Sequence, residues 1–329
     1  MKLTFEQVQE IARGAVRISE DNGSFHFYRF TEAQTEAYLK TSPKDFYKKA
    51  FATAGIRLAF RTDSKRFAFD FKTSYASSRE YAYFDVYVNG AFSKHFGCDG
   101  NAMMDGSANI TLPEGEKTVE IYLPWSRDAV LSNIEIDDGA SLSGVTRAKT
   151  MISFGDSITH GYDAIYPSLS YASQLAQNLD ADALNKGIGG DIFFPELLKE
   201  KDNIDPDFIT VAYGTNDWSS KAPRETFVQH CTDFYTRLSA LYPNAKIFAI
   251  APIWRNDWTR TNSGFGVPVT AVREEIREIC KDLPNVTVLD GFNFVPHRKE
   301  FFADLYLHPN DFGFCLYAKA LYNEIVKHL

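Results

Sequence analysis

The sequence predicts two folds in series: an all-β sandwich of jelly-roll type over residues 1–144, then an α/β unit built on a doubly wound parallel sheet over 145–329. Three observations carry this. Before Asp137, apolar residues alternate with polar ones in short runs bounded by turn residues, the period-2 pattern of strands with one buried face. Beyond Val145, short apolar runs alternate with stretches whose apolar residues recur at helical spacing, which is the pattern of a βαβ series. Between them, Asp137-Asp138-Gly139-Ala140-Ser141-Leu142-Ser143-Gly144 is made of small and turn-forming residues, and the boundary is expected there.

In the first half, Thr4 and Gln7 form a capping box that opens a short helix. The expected strands are then Phe25 to Phe30, Ile56 to Phe60, Arg66 to Phe71, Phe84 to Val88, Ala91 to Phe96, Ala108 to Leu112, Val119 to Leu123 and Leu131 to Ile136. Asn89-Gly90 joins two of them as a two-residue hairpin, because both positions of such a turn need positive φ. In the second half the strands are Met151 to Phe154, Ala183 to Asn185, Phe208 to Tyr213, Lys246 to Ala251 and Val286 to Leu289. Three helices are read from Phe227, Cys231, Phe234, Leu238 and Leu241; from Val269, Val272, Ile276 and Ile279; and from Phe314, Tyr317, Leu321 and Ile325.

With 329 residues, 44% apolar and 24% charged, the chain can bury its cores without disulfide or metal staples. A formal net charge of −8 argues against nucleic acid or an anionic membrane as partner, since both are usually held by basic patches. A small molecule or a neutral polymer such as an oligosaccharide fits better, and a homo-oligomer stays open. The four cysteines, Cys98, Cys231, Cys280 and Cys315, form no C-x-x-C pair. Their reading is free, mostly buried thiols. The N-terminal residues lack the apolar run of a signal peptide and no stretch of about 18 apolar residues occurs, so a cytoplasmic protein is expected.

Ligands of a doubly wound sheet sit beyond the carboxyl ends of its strands. Four loops there carry chemistry. Gly155-Asp156-Ser157-Ile158-Thr159 offers a serine at a sharp turn; Asn185-Lys186-Gly187-Ile188-Gly189-Gly190-Asp191 offers backbone N–H groups; Gly214-Thr215-Asn216-Asp217 offers a side-chain amide; Asp304-Leu305-Tyr306-Leu307-His308-Pro309 offers an acid and an imidazole. An isolated serine hydroxyl is a poor nucleophile, so it needs the base and the oxyanion donors that the other loops supply.

These blocks resemble those of the SGNH, or GDSL-type, hydrolase superfamily, in which serine, glycine, asparagine and histidine follow in this order. The resemblance covers roughly the C-terminal half. It implies a flavodoxin-like sheet, Ser157 as nucleophile, Gly190 and Asn216 as oxyanion donors beside the Ser157 N–H, and His308 as general base. The front half is similar to the β-sandwich that precedes the catalytic domain in some carbohydrate esterases of the superfamily. The implied reaction is hydrolysis of a short-chain acyl ester, acetyl foremost, on a carbohydrate through an acyl-enzyme. Acyl transfer to a small alcohol and a non-catalytic carbohydrate-binding role are the alternatives. The family usually has its acid three residues before the histidine, whereas Asp304 lies four before His308. Either the loop absorbs one residue and Asp304 reaches the ring, or another group such as a backbone carbonyl orients it; Asp304 is favoured, with Asp311 and Asp290 in reserve.

Each block also has a plainer reading. A serine after Gly-Asp is most often a turn or N-cap residue, a lone histidine before proline a surface residue, and Gly214 to Asp217 an ordinary loop. Gly187-Ile188-Gly189 opens like a dinucleotide fingerprint, but Ile192 occupies the place of the third glycine. The coincidence of all four blocks in order outweighs these readings. No H-x-x-x-H or similar spacing occurs among the histidines, so neither metal nor cofactor is expected, and no G-x-S-x-G occurs either. Trp218, Trp254 and Trp258 fall in loops on the catalytic side, where they are candidates for stacking on a sugar ring, with Arg255 for a polar substrate group; packing is the alternative for each tryptophan.

Overall fold

Phenylalanines at alternate positions build the first half. Phe67, Phe69 and Phe71 point from strand Arg66–Tyr75 into the core, where Phe67 meets Phe60 at 4.6 Å and Phe71 meets Phe84 at 5.0 Å between ring centroids. Those partners belong to a second sheet, so the two sheets pack face to face over one apolar core. The computed structural model describes residues 1–100, 104–220 and 222–329.

One antiparallel sheet runs in the order Arg17–Asp21, Ser24–Tyr28, Arg127–Ile136, Arg66–Tyr75, Asp105–Thr111. The other runs Ala12–Arg13, Arg57–Thr62, Lys117–Tyr122, Ala82–Val88, Ala91–Cys98, with Leu142–Gly144 also pairing Arg57–Thr62. Asn89 and Gly90 turn the hairpin with φ of 51° and 75°, and Thr4 caps helix Phe5–Ile11 through the expected box. The short strands Ala12–Arg13, Arg17–Asp21 and Leu142–Gly144 are additions to the sequence reading. Two of them are too brief for alternation to register, and Arg17–Asp21 has no fully buried residue to alternate.

A second addition matters more. Helices Glu32–Thr41 and Phe46–Lys49 leave the sandwich between two of its strands and lie against the C-terminal half. Only Gln34 and Tyr38 of the longer helix are buried. A helix that hides so little apolar surface shows no 3.6-residue pattern. It is started by a Thr31/Gln34 capping box and docks by polar contacts: Gln34 Nε2 donates to the Leu197 carbonyl at 3.1 Å, and Tyr38 Oη donates to Asp191 Oδ2 at 2.7 Å.

From Lys149 onward five parallel strands form a sheet in the order Ala181–Gly187, Lys149–Gly155, Phe208–Ala212, Lys246–Ile250, Val286–Leu289. Helices Arg224–Leu241 and Ala271–Cys280 cover one face; Tyr171–Asn178 and Asp311–Ile325 cover the other. The first strand in sequence lies second in space, so the chain order reverses beside it and a crevice opens at its carboxyl end. Ser157 stands two residues beyond that end. No helix among the described residues is long and apolar enough to cross a membrane.

Candidate active site

The serine turn is fixed from both sides. A Cβ on Gly155 would stand 2.1 Å from Thr159 Oγ1 and 3.0 Å from the Ala212 carbonyl oxygen, so the strand can enter this turn only with glycine there. Asp156 then caps the four-residue helix Ser157–His160, its carboxylate accepting from the Ile158 N–H at 3.0 Å. Ser157, only 4% exposed, places Oγ 2.8 Å from His308 Nε2.

On the other side of the ring, His308 Nδ1 lies 2.8 Å from Asp304 Oδ2. The four-residue spacing is absorbed inside the loop. Leu305 takes a left-handed φ of 56°, and Asp304 Oδ1 accepts from the N–H groups of Tyr306, Leu307 and His308 at 2.8, 2.7 and 3.1 Å. Burial alone would raise the Asp304 carboxyl, but the His308 hydrogen bond and these backbone donors outweigh it and hold it down at about 2. With the carboxylate at Nδ1, the tautomer that leaves Nε2 free to accept the serine proton is favoured.

The candidate donors for a developing oxyanion lie in the serine turn and the two loops after the neighbouring strands. Gly190 is exposed and has φ of 89°, a conformation that glycine adopts readily. Asn216 Nδ2 donates to the Asp191 carbonyl at 2.9 Å, which orients the amide and leaves its second hydrogen available. Among the described residues, the N–H groups of Ser157 and Gly190 have no protein acceptor. A hydroxyl, an imidazole, a carboxylate and N–H donors are the kinds of group that acyl transfer uses.

The GDSL-like Lipase/Acylhydrolase family matches residues 153–314, the stretch that carries every one of these groups. That stretch is a GDSL-like hydrolase domain. Among solved structures, the chain is similar to a salicylyl-acyltransferase, SsfX3, from a tetracycline biosynthetic pathway, at 24% identity and a TM-score of 0.83 over 96% of this chain and 94% of that one. It is similar to a family two carbohydrate esterase from Cellvibrio japonicus at 17% identity and 0.69, covering 98% and 96%. A family two carbohydrate esterase from Clostridium thermocellum, solved with cellohexaose, matches at 19% identity and 0.62, covering 84% and 93%. At these identities the likeness is one of fold. No curated protein sequence matches the chain.

Of the four residues suggested for substrate contact, Trp218, Trp254 and Arg255 are buried and Trp258 is partly exposed. Trp218 is fully buried with Nε1 donating to the Val267 carbonyl at 2.7 Å. Trp254, 7% exposed, stacks on His297 and packs on Phe302. Arg255 is buried over the Trp218 ring and donates to Thr215 Oγ1 at 2.9 Å and Asp257 Oδ1 at 2.6 Å. Trp258 is half-buried edge-on against Phe292. The packing reading therefore holds for Trp218 and Trp254, which present no free face, and Arg255 braces the start of the Thr215–Ser219 helix that carries Asn216. The reserve acids are engaged away from the ring: Asp311 accepts from the Ile165 N–H and Asp290 pairs with Arg273.

Sequence reasoning missed the groups that support the GDSL-like domain from outside it. Arg29, fully buried, donates to the carbonyls of Asn185 and Gly187 at 2.8 and 2.9 Å, and burial pulls its guanidinium down to about 9. Lys49 Nζ donates to the Gly189 carbonyl at 2.7 Å. Trp125 Nε1 donates to the Ala164 carbonyl at 2.8 Å, beneath the loop that follows Ser157. Burial raises three carboxyls, one in each of the first three loops: Asp156 to about 6, Asp191 to about 7 and Asp217 to about 7. Asp163 was also missed, although it sits six residues after Ser157 in the same block. Its carboxylate, Asp304 and His308 hold one donor atom each within 4.8 Å of one another, but Arg79 already engages Asp163 and the ring engages Asp304. That is the geometry of an ion-paired network.

Proposed function

We propose that the protein is a serine esterase that removes short-chain acyl groups, acetyl foremost, from a carbohydrate. The observation that carries the reading is the unbroken chain Asp304 Oδ2, His308 Nδ1, His308 Nε2, Ser157 Oγ, with 2.8 Å at each hydrogen bond. His308 takes the Ser157 proton as Oγ attacks the acyl carbonyl. The oxyanion is held by the N–H groups of Ser157 and Gly190 and by the Asn216 amide, and removing one such donor typically costs about 3 kcal/mol of transition-state stabilisation. His308 then protonates the leaving alkoxide and activates water against the acyl-enzyme. In this reading residues 1–144 are a sandwich domain and 145–329 the catalytic domain. Free thiols at Cys98, Cys231, Cys280 and Cys315 fit a reducing compartment such as the cytoplasm.

The carbohydrate part of the reading is supported by the esterases that share the two-part architecture. Acyl transfer to an alcohol other than water is the second reading, favoured by the salicylyl-acyltransferase of the same architecture. Release of 4-nitrophenol from its acetate by wild type and by Ser157→Ala tests the chemistry; equal rates would favour a non-catalytic binding protein. A panel of acetylated oligosaccharides read by acetate release, with and without an added acceptor alcohol, separates hydrolysis from transfer.

A further inference from the structure

The imidazole of His308 has a second carboxylate at Nδ1 that the mechanism above does not use. Asp163 Oδ2 lies 3.5 Å from His308 Nδ1, against 2.8 Å for Asp304 Oδ2. Asp163 is 7% exposed and held at φ of 72°, a left-handed conformation that carries strain for a residue other than glycine. Its partner comes from the other half of the molecule. Arg79, in the connection between strands Arg66–Tyr75 and Ala82–Val88 of the sandwich, places Nε 2.5 Å from Oδ1 and Nη2 2.9 Å from Oδ2. The guanidinium also covers the Tyr162 ring at 5.0 Å, and that ring lies 5.9 Å from the imidazole.

The titratable and charged groups facing the imidazole are Asp304 from its own loop, Asp156, Tyr162 and Asp163 from the Ser157 block, and Arg79 from the sandwich. Two unopposed carboxylates on one Nδ1 would hold the ring as imidazolium and make it a poor base near neutrality. Arg79 cancels one of them by a two-pronged pair while leaving Asp304 to orient the ring.

We propose that Arg79 and Asp163 form an interdomain positioning pair in which the sandwich sets the charge around His308, so that the ring is an effective base only when the two halves are docked. This rests on the ester-hydrolase reading of Ser157 and His308. Neither member touches the reacting atoms; both act through His308.

The test is a double-mutant cycle read as the acid limb of the kcat/KM–pH profile on 4-nitrophenyl acetate. Arg79→Ala leaves the Asp163 charge unopposed, and the limb moves to higher pH by about one unit, so that activity falls about tenfold on the acid side of the wild-type midpoint and recovers at pH 9. Asp163→Asn leaves Arg79 unopposed and moves the limb the other way. The double variant returns to within about 0.3 unit of wild type, and Arg79→Lys stays closest to wild type of the single changes. A pair that is only a brace would lower melting temperature and activity equally at every pH, with the limb fixed in all four proteins, and that result overturns the proposal. NMR titration of the His308 ring runs the same cycle on the resting protein. An unmoved midpoint there overturns the positioning role whatever the reaction, whereas a fully active Ser157→Ala protein overturns the esterase reading and leaves the titration to decide this one.

Discussion

The two loops that bracket Ser157 are held in opposite ways. The Asp304–His308 loop builds itself: one carboxylate gathers three backbone N–H groups and the imidazole from the next four residues. The Gly187–Asp191 loop is built from far away in the chain. Arg29, Lys49 and Tyr38, at least 140 residues distant, hold Gly187, Gly189 and Asp191. The contacts that set Asp304 against His308 are thus local, with Arg79 reaching the neighbouring Asp163 from the front half, whereas the loop that carries Gly190 is held by the front half throughout. Loss of a local support should damage catalysis with the fold intact, and loss of a distant one should damage both.

The largest effect is expected at Asp304. Asp304→Asn keeps the size of the side chain but removes the charge at Nδ1, and the equivalent change costs about 10⁴ in kcat in serine proteases. Steady-state kinetics beside Asp311→Asn and Asp290→Asn check it, and kcat within tenfold of wild type for Asp304→Asn would mean that the local loop does not supply the acid. Next comes Asn216→Ala, with kcat lowered about a hundredfold or more and KM little changed, because the amide acts on charge that develops in the transition state. A lowered melting temperature with kcat intact would recast Asn216 as a brace for the Asp191 carbonyl.

The distant supports give smaller catalytic and larger structural losses. Lys49→Met frees the Gly189 carbonyl and should lower kcat roughly tenfold through a shifted Gly190 N–H. Arg29→Ala takes a donor away from four buried carbonyl oxygens, those of Lys49, Ala52, Asn185 and Gly187. It should cost about 3 kcal/mol or more of stability by denaturant melt. Wild-type stability in Arg29→Ala would break the contrast between the two loops.

The smallest effect is a pH dependence of stability. Asp156, Asp191 and Asp217 have folded-state values raised by burial to about 6, 7 and 7. A raised carboxyl contributes stability that is full below the unfolded value near 3.9 and is lost as pH rises through the folded value. Asp304, lowered to about 2, does the reverse, contributing above about 3.9 and losing it as pH falls through 2. Melting temperature should therefore decline by a few degrees between pH 5 and 8, with Asp191→Asn flattening the slope. A rise over that interval in the wild type would contradict the burial of these three groups.

What was legible in the sequence follows the same division. Most strands and helices that bury an apolar face could be read from their periods, and the Ser157, Asn216 and His308 blocks from their order; helix Tyr171–Asn178, which buries Tyr171 and Leu175, was not read because it spans only two turns. Helix Glu32–Thr41 could not, because its interface is Gln34 and Tyr38 and not an apolar stripe; only the Thr31/Gln34 capping box announced it. The spacing of Asp304 from His308 left two mechanisms open, since nothing in the letters says that Leu305 adopts a left-handed turn. Arg79, Arg29 and Lys49 carry no local signal at all. Trp218 and Arg255, read as substrate contacts from their place after a strand, turn inward because Arg255 is needed over the Trp218 ring and against Thr215.

Everything proposed for this site turns on Ser157 being a nucleophile activated by His308. The most direct measurement is labelling of the purified protein with a serine-directed phosphonate, followed by mass spectrometry of the digested chain. One adduct per chain on the peptide containing Ser157, slowed strongly in a His308→Ala variant and absent from Ser157→Ala, is the expected result. Labelling of Ser157→Ala as fast as wild type, or an adduct on another residue, would contradict it.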